Sequence, residues 1–163
     1  MAASNMFLKL DGIDGESMDD QHKDWIEIES WSWGVDNPTS FAVGQGGQAT
    51  QAHFAPINVS KNVDKASVTL WQNCTTGKHI QGGTISCMKL DGESRIEYMK
   101  IVLTDILVSN IQTSGHGTEH AVHESVSLQF AKFNELYNLQ QNIGSAGGGK
   151  QFGWDIQASK VTS

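Results

Sequence analysis

The sequence predicts an all-β, mainly antiparallel protein, in which a two-sheet β-barrel is flanked by one α-helix. About eight segments rich in β-branched and aromatic residues follow one another closely, with turn signals between them. Seventeen glycines and only two prolines favour many tight turns. One stretch alone, residues 64–76, changes to helical spacing. Together these observations indicate an antiparallel sandwich or a closed barrel.

Residues 25–35 are predicted to form the strand around which the core assembles. In a strand, Trp31 and Trp33 share one face, while Ser30 and Ser32 share the opposite face. Upstream, isoleucines lie on the serine side, so the apolar face changes sides and a bulge or a change of packing partner is expected. Because indole rings are large and apolar, we expect Trp31 and Trp33 to anchor the core. The serines are expected to face solvent, a cavity or a partner.

The other strands are expected to be short, and each is bounded by residues that favour turns. Pro56 lacks a backbone donor, so its strand is expected at an edge or next to a bulge. Asp105 interrupts the longest apolar run, which predicts a bulge or a kink there. The strands are expected at residues 6–10, 53–61, 84–90, 95–113, 125–133 and 152–158, with a weaker signal at 134–140.

The helical stretch at residues 64–76 carries its apolar side chains at helical spacing, and they include Leu70 and Trp71. Asp64 can cap the start, and Gly77 is placed where a helix would end. We expect Leu70 and Trp71 to anchor this helix in the core, where it packs on a sheet or closes the end of a barrel.

Residues 36–51 are predicted to form a long flexible loop, because glycine and small polar residues dominate the segment. Loops of this length inside a compact domain are usually functional. The only bulky apolar side chains in it are those of Phe41 and Val43. The glycines that give it reach are Gly44, Gly46 and Gly47.

Length and composition set the broad class of the protein. Residues 1–163 are expected to form a single domain. A formal charge of −7 argues against binding nucleic acid, which needs a basic surface. The N-terminus lacks the pattern of a secretory signal, and no apolar run is long enough to cross a membrane. Two cysteines, Cys74 and Cys87, do not make a disulfide framework, so reduced thiols in the cytoplasm are expected.

The titratable residues do not form a catalytic or metal-binding pattern. His116, His120 and His123 lie close together, and histidines with neighbouring carboxylates can bind zinc. Glycines and a lack of helical spacing leave these side chains unsupported, so a polar hairpin loop is expected instead. The carboxylates between Glu16 and Asp24 are expected to form a solvated connection. With no phosphate-binding loop and no nucleophile elbow, we expect no enzyme activity, no metal and no cofactor.

A set of motifs nevertheless resembles one family along nearly the whole chain, the haemolysin-coregulated protein (Hcp) family of bacterial type VI secretion. The motifs are Lys9-Leu10-Asp11-Gly12-Ile13, Gly15-Glu16-Ser17, His22, Trp25-Ile26-Glu27-Ile28, Ser30-Trp31-Ser32-Trp33-Gly34, Val63-Asp64-Lys65-Ala66-Ser67, Gly77-Lys78-His79, Tyr98, Leu107-Val108-Ser109 and Phe152-Gly153-Trp154-Asp155-Ile156.

This resemblance implies a compact two-sheet barrel whose copies form hexameric rings that stack into the inner tube of a contractile injection machine. The tube lies inside a sheath, carries a spike, is expelled from the bacterial cytoplasm into target cells, and chaperones small effector proteins in its lumen. In such a tube we expect Ser30 and Ser32 to face the lumen and contact effectors. We expect the loop to contact the next ring through Phe41, Val43, Gly44, Gly46 and Gly47.

The alternative is a monomeric secreted ligand-binding β-barrel of the extracellular space or the periplasm. The two hypotheses differ in particle mass, since a ring has six times the mass of the chain and a binding barrel has the mass of one. In both cases we expect no nucleic acid partner and no insertion into a membrane. An enzyme is the least favoured of the three classes.

Overall fold

The computed structural model describes residues 4–41, 47–140 and 146–163. Thirteen strands and one helix are defined among these residues. In chain order they are β1 (Met6–Leu10), β2 (Ile26–Glu27), β3 (Ser30–Ser32), β4 (Val35–Asp36), β5 (Thr39–Ser40), β6 (Gln48–Ala49), β7 (His53–Phe54), β8 (Ile57–Asn62), α1 (Ala66–Thr76), β9 (Ile80–Asp91), β10 (Ser94–Gly115), β11 (Val122–Gln140), β12 (Ala146–Asp155) and β13 (Lys160–Val161).

Nine of the strands form one antiparallel sheet that closes on itself. Its order is β13-β12-β11-β10-β9-β1-β2, while β8 pairs with β11 and β3 pairs with β8. The sheet closes where the chain passes from β2 to β3. Ile28 N–H donates to the carbonyl of Met6 at 3.1 Å, and Glu29 N–H donates to the carbonyl of Ser60 at 2.8 Å. The partner strand therefore changes between Ile28 and Glu29, which confirms the expected change of packing partner within residues 25–35. The all-β barrel with a flanking helix is also confirmed.

The two longest strands, β10 and β11, connect the two sides of the barrel. The first half of β11 pairs with β8, and its second half pairs with β12. Residues 134–140, which have a weak strand signal, belong to β11 because β10 and β12 pair with them on either side. Asp105 has a positive φ of 56° and is missing from both ladders of β10, so the predicted irregularity is confirmed.

Helix α1 packs beside the second half of β10, beyond the point where β9 stops pairing with it. Leu70 is fully buried, as expected. Trp71 is 47% exposed, and its indole N–H donates to Thr113 Oγ1 at 3.3 Å, so the expectation that Trp71 anchors the core is wrong. One residue is about 100° around a helix, so Leu70 takes the buried position and Trp71 reaches only the rim. Gly77 ends the helix with a φ of 68°.

Trp31 and Trp33 pack against the core, but both are half-buried. The Trp33 ring contacts Phe133 edge-on with a centroid separation of 4.8 Å, and Phe130 and Phe54 lie nearby. The fully buried centre is aliphatic. It is made by Leu8, Leu10, Ile26, Ile28, Ile57, Leu70, Ile85, Ile101, Leu103, Ile106, Val126 and Leu128.

Residues 35–54, which we call the arm, are more ordered than the expected flexible loop. Strand β4 pairs with β7, and β5 pairs with β6, so two short ladders form the described part of the arm. Phe41 is 86% exposed. A Cβ atom at Gly47 would lie 2.3 Å from Phe41 Cε1, so glycine leaves room for that ring. Val43, Gly44 and Gly46 lie outside the described residues.

Within the described residues, α1 is neither long nor apolar enough to cross a membrane.

Candidate functional site

Four neighbouring strands, β3, β8, β11 and β10, carry small polar side chains on the face turned away from the core. Paired residues in adjacent strands lie on the same face of a sheet, so the register defines two rows. The eight residues of these rows, which we call the polar face, are Ser30, Ser60, Ser125 and Gln112 in the first row and Ser32, Asn58, Ser127 and Asn110 in the second.

The polar face follows from strict alternation along each strand. Between its rows stand Trp31, Val59, Val126 and Ile111, which pack in or against the core. The polar residues point the other way and are exposed, apart from half-buried Ser60 and Ser127. Rows in a sheet repeat about every 4.8 Å across the strands and about every 6.7 Å along them. The face is therefore a regular array of hydroxyl and amide groups.

Hydrogen bonds link the strands of this array. The Ser127 hydroxyl donates to Asn58 Oδ1 at 2.5 Å, and the Ser109 hydroxyl donates to the carbonyl of Ser127 at 3.2 Å. None of the eight side chains carries a formal charge. Each can both donate and accept hydrogen bonds, so the face offers contacts of either polarity without attracting or repelling charge.

Charged groups border the polar face at one end. The His123 ring lies between two carboxylates, with 3.4 Å from Nε2 to Glu119 and 3.9 Å from Nδ1 to Glu29. A concavity of about 260 Å³ is found here, and its lining includes Ser60, Ser125 and His123. A wider groove of about 690 Å³ lies near the crossing between β2 and β3 and is lined in part by Glu16, Glu27, Glu29 and Asp64. The negative charge of the chain therefore lies beside the polar face and not on it.

The sequence predicted two of the eight residues of the polar face, Ser30 and Ser32, and both are exposed. It did not single out Asn58, Ser60, Asn110, Gln112, Ser125 or Ser127. The signal for Ser125 and Ser127 was present, because they alternate with buried Val126 and Leu128. What alternation cannot show is that four strands with such faces are neighbours.

The histidines of the loop between β10 and β11 do not form a metal site in the part of the chain that the structure describes. No group of three or more histidine, cysteine, aspartate or glutamate side chains there is placed to hold an ion. Of the three, His123 interacts with carboxylates across the strand end, as described above.

A buried ionic cluster lies behind the polar face. Lys61 Nζ donates to Glu124 Oε2 at 2.8 Å, to Asp64 Oδ1 at 2.9 Å and to Ser67 Oγ at 3.1 Å. The Ser67 hydroxyl donates to Glu124 Oε2 at 2.6 Å. Lys61 and Glu124 are the inward-pointing neighbours of Ser60 and Ser125, so the cluster joins the back of the polar face to the start of α1.

The connection between β1 and β2 is also partly buried, so the expectation of a solvated connection is wrong at Asp19 and His22. The Asp19 side chain is 10% exposed, and His22 is 4% exposed. His22 Nδ1 lies 2.9 Å from Asp19 Oδ2, and Nε2 lies 3.0 Å from Ser86 Oγ. Arg95 donates to the other oxygen of Asp19.

The ionisation of Asp19 reflects these partners. Burial alone would raise the pKa of Asp19, but hydrogen bonds from His22 and Arg95, the positive charge of Arg95 and the backbone N–H of Gln21 together hold it below its ordinary value. The order of groups from Asp19 through His22 to Ser86 is that of a hydrolase triad. The Ser86 side chain, however, is fully buried, and its hydroxyl donates to Glu97, so the oxygen is not presented to a substrate.

The fold and the site together define a class of protein: an antiparallel barrel with a filled core, one flanking helix and an uncharged polar sheet face. Residues 7–137 match the family model described as "Type VI secretion system effector, Hcp". The chain belongs to this Hcp family.

Individual relatives agree along almost the full length of the chain. Protein hcp1 of Pseudomonas aeruginosa is 35% identical over 156 residues, which cover 95% of this chain and 96% of that protein. The crystal structure of Hcp1 from Salmonella typhimurium is 33% identical, with a TM-score of 0.81 over 99% of this chain and 100% of that chain. A structure described as a type six secretion system protein has a TM-score of 0.91 at 29% identity and covers 98% of this chain and 100% of that chain.

Proposed function

We propose that this chain is a structural subunit of the type VI secretion inner tube, that six copies form a ring, and that the polar face lines the channel. The observation that carries the proposal is the polar face itself. Four strands present eight uncharged hydroxyl and amide side chains away from the core, where an isolated barrel would gain nothing from such uniformity. A channel with this lining can hold varied small effector proteins through hydrogen bonds and release them without strong adhesion.

A closed ring requires two unlike patches on each subunit, because its contacts run head to tail. Two separate groups of exposed apolar side chains suit this requirement. One is on α1, where Val68 is 77% exposed and Trp71 is 47% exposed. The other is on β11 and β12, where Tyr137 and Phe152 are each 43% exposed. Exposed apolar clusters of this kind are typical of protein interfaces. We expect each contact in the ring to bury more than about 1,000 Å².

The arm supplies the contact between stacked rings in this proposal. Phe41 is the exposed apolar side chain in its described part, and Gly47 gives the Phe41 ring its space. Val43, Gly44 and Gly46, which lie outside the described residues, complete the proposed contact segment. Tube growth would then follow from many weak copies of one contact.

The remaining steps of the proposal follow the family. The subunit is made in the bacterial cytoplasm, assembles inside the sheath beneath the spike, and is expelled with its effectors into target cells. It acts as a carrier and building unit, without enzyme activity, cofactor, nucleic acid or membrane insertion.

Native mass spectrometry tests the assembly directly. The expected particle has six times the 17.7 kDa mass of the chain at micromolar concentration. A particle of one chain mass would contradict the proposal and favour a monomeric ligand-binding barrel. Such a barrel would have to bind its ligand outside the core, because side chains such as Ile85, Ile101 and Leu103 already fill the interior.

A further inference from the structure

Four side chains on the outer surface of the barrel form one unbroken chain of polar contacts, which we call the proton chain: Asp19, His22, Ser86 and Glu97. Asp19 Oδ2 is 2.9 Å from His22 Nδ1, and His22 Nε2 is 3.0 Å from Ser86 Oγ. Ser86 Oγ is 2.5 Å from Glu97 Oε2. Ser86 is fully buried and His22 is 4% exposed, so the two central members are shielded from water.

The proton chain contains more contacts than ordinary protonation can supply with hydrogens. Each of its three contacts joins two electronegative atoms at hydrogen-bonding distance, so each needs one hydrogen between them. A neutral imidazole has one N–H, a serine has one O–H, and ionised carboxylates have none. That gives two hydrogens for three contacts. Changing the tautomer of His22 moves its hydrogen from one ring nitrogen to the other but does not add a third.

We propose that the folded protein binds one additional proton in the proton chain, shared between the His22 imidazole and the Glu97 carboxyl, and that this proton holds residues 15–25 against the barrel. The proposal goes beyond the proposed function and does not depend on it. With the proton in place, the positive charges of Arg95 and the protonated chain balance the two carboxylates. Without it, a net negative charge would remain beside buried Ser86, which is unfavourable away from water.

The proton chain secures a covering segment. The His22 ring stacks on Phe7 with a centroid separation of 4.3 Å and an interplanar angle of 3°, and the Trp25 ring meets it edge-on at 4.8 Å. Phe7 is only 1% exposed because this segment covers it. The segment also presents Met18, which is 86% exposed. Loss of the proton would therefore loosen a defined piece of the outer surface and uncover Phe7.

Other titratable or polar groups face the proton chain without supplying the missing hydrogen. Met88 Sδ lies 3.8 Å from Ser86 Oγ and is one more acceptor. Burial, with a further contribution from the charge of Glu97, raises the pKa of the Cys87 thiol, although a hydrogen bond with Trp31 acts in the opposite direction. Arg95 is committed to Asp19. The cross-strand neighbours are Lys100, which pairs with Ser86, and Glu27, which pairs with Phe7.

The sign of the pH dependence follows from the hydrogen count. The additional proton is bound in the folded state, so its stabilising effect is present at lower pH and is lost as the pH rises. Once the proton is lost, the opening equilibrium of residues 15–25 should increase by about tenfold per pH unit. The rest of the barrel should not follow, because β10 and β11 are held by their own ladder.

The decisive variant is Glu97→Gln. The glutamine amide has nearly the same shape and brings its own N–H donors, so it supplies the third hydrogen covalently. The measurement is amide hydrogen exchange of residues 15–25 in the full-length protein from about pH 6 to about pH 9, corrected for intrinsic exchange. In the wild type we expect protection of this segment to fall as the pH rises, while protection of β10 and β11 stays constant. In Glu97→Gln, protection should not change with pH.

Two further variants make the result unambiguous. Glu93→Gln removes an exposed carboxylate from the same hairpin and should keep the wild-type pH dependence. Ser86→Ala removes two of the three contacts and should lower protection of residues 15–25 at every pH, without a pH dependence. The proposal is overturned if wild-type protection is the same at both ends of the pH range, or if Glu97→Gln loses protection as the wild type does. Nitrogen NMR of His22 showing a single protonated ring nitrogen beside an ionised Glu97 in the closed state would also overturn it.

Discussion

Lys61 and Glu124 form an ion pair that no water reaches: Nζ and Oε2 are 2.8 Å apart, and both side chains are fully buried. The pair joins β8 to β11 directly behind the polar face, and Ser67 and Asp64 extend it to the start of α1. All three N–H groups of the lysine have acceptors. The cluster therefore fixes the spacing of two strands of the polar face and the position of the helix together.

We expect Lys61→Met to lower the free energy of unfolding by about 3–5 kcal/mol, because the substitution leaves Glu124 charged and buried without its partner. Urea denaturation measures this loss. In the double variant Lys61→Met with Glu124→Gln the loss should be smaller, since the buried charge is gone as well. Lys132→Met is the control: Lys132 is 51% exposed and pairs with Asp155, so its loss should change stability by less than about 1 kcal/mol. Equal effects of Lys61→Met and Lys132→Met would contradict the assigned role.

Asp19 should contribute to the acid side of the stability profile. Its pKa lies below the ordinary value, because the hydrogen bonds and the charge of Arg95 outweigh the effect of burial. A depressed pKa gives stability that is present above the unfolded-state pKa, near 4, and is lost as the pH falls below it. Asp19→Asn should therefore lower stability at neutral pH and flatten the decline below about pH 4.

Urea unfolding at a series of acidic pH values tests this expectation. Asp20→Asn is the matched control, because Asp20 is the adjacent residue and is exposed. If Asp19→Asn and the wild type lose stability in parallel as the pH falls, Asp19 has no special part in the acid transition.

These buried polar groups show what the sequence could and could not predict. Alternation placed Trp31 and Trp33 opposite Ser30 and Ser32, because a two-residue period is a local property of a strand. The same alternation makes Lys61 an inward residue after Ile57 and Val59. Nothing local shows that its partner, Glu124, stands 63 residues away. Contacts made by chain segments far apart in the sequence need the closed barrel before they can be seen.

The errors along the chain have the same origin. Trp71 has the spacing of a buried helical residue, but α1 meets the barrel along a narrow line that only Leu70 and its nearest neighbours reach. Asp19 and His22 are in a stretch of acidic residues, which usually indicates solvent. They are buried because Phe7 and Ser86 on neighbouring strands give them a surface to bind. For the polar face, the sequence gave the direction of the side chains but not the neighbourhood of the four strands.

Ser32→Gln tests the proposed direction of the polar face. Ser32 is exposed, so the larger amide should be tolerated in the ring and should reduce retention of an effector in the channel. Size-exclusion mass and co-purification of an effector with the ring measure the two properties. Ser94→Gln, at an exposed position in the turn between β9 and β10, should leave both unchanged.

Trp31→Ala should have the opposite effect, because Trp31 packs on the core from the other side of the same strand. Removing an indole from a packed site should lower the free energy of unfolding by about 3 kcal/mol, as thermal and urea unfolding would report. If Ser32→Gln unfolds the protein and Trp31→Ala has no effect, the two faces are assigned the wrong way round.

The arm provides the last test, because it separates ring formation from ring stacking. Ordering a free segment costs about 1–2 kcal/mol per residue in backbone entropy, so an arm contact becomes stable only when many copies act together. Deletion of residues 40–47 should leave intact rings but abolish tube growth and secretion. Phe41→Ser should weaken both in the same direction, since it removes the exposed apolar side chain of the described arm. Val68→Ser, which removes an equally exposed apolar side chain from α1, should leave stacking unchanged. Electron microscopy of tubes and secretion assays measure the outcome. Normal secretion by the deletion variant would rule out an arm contact between rings, whereas loss of the rings themselves would place the arm contact within a ring.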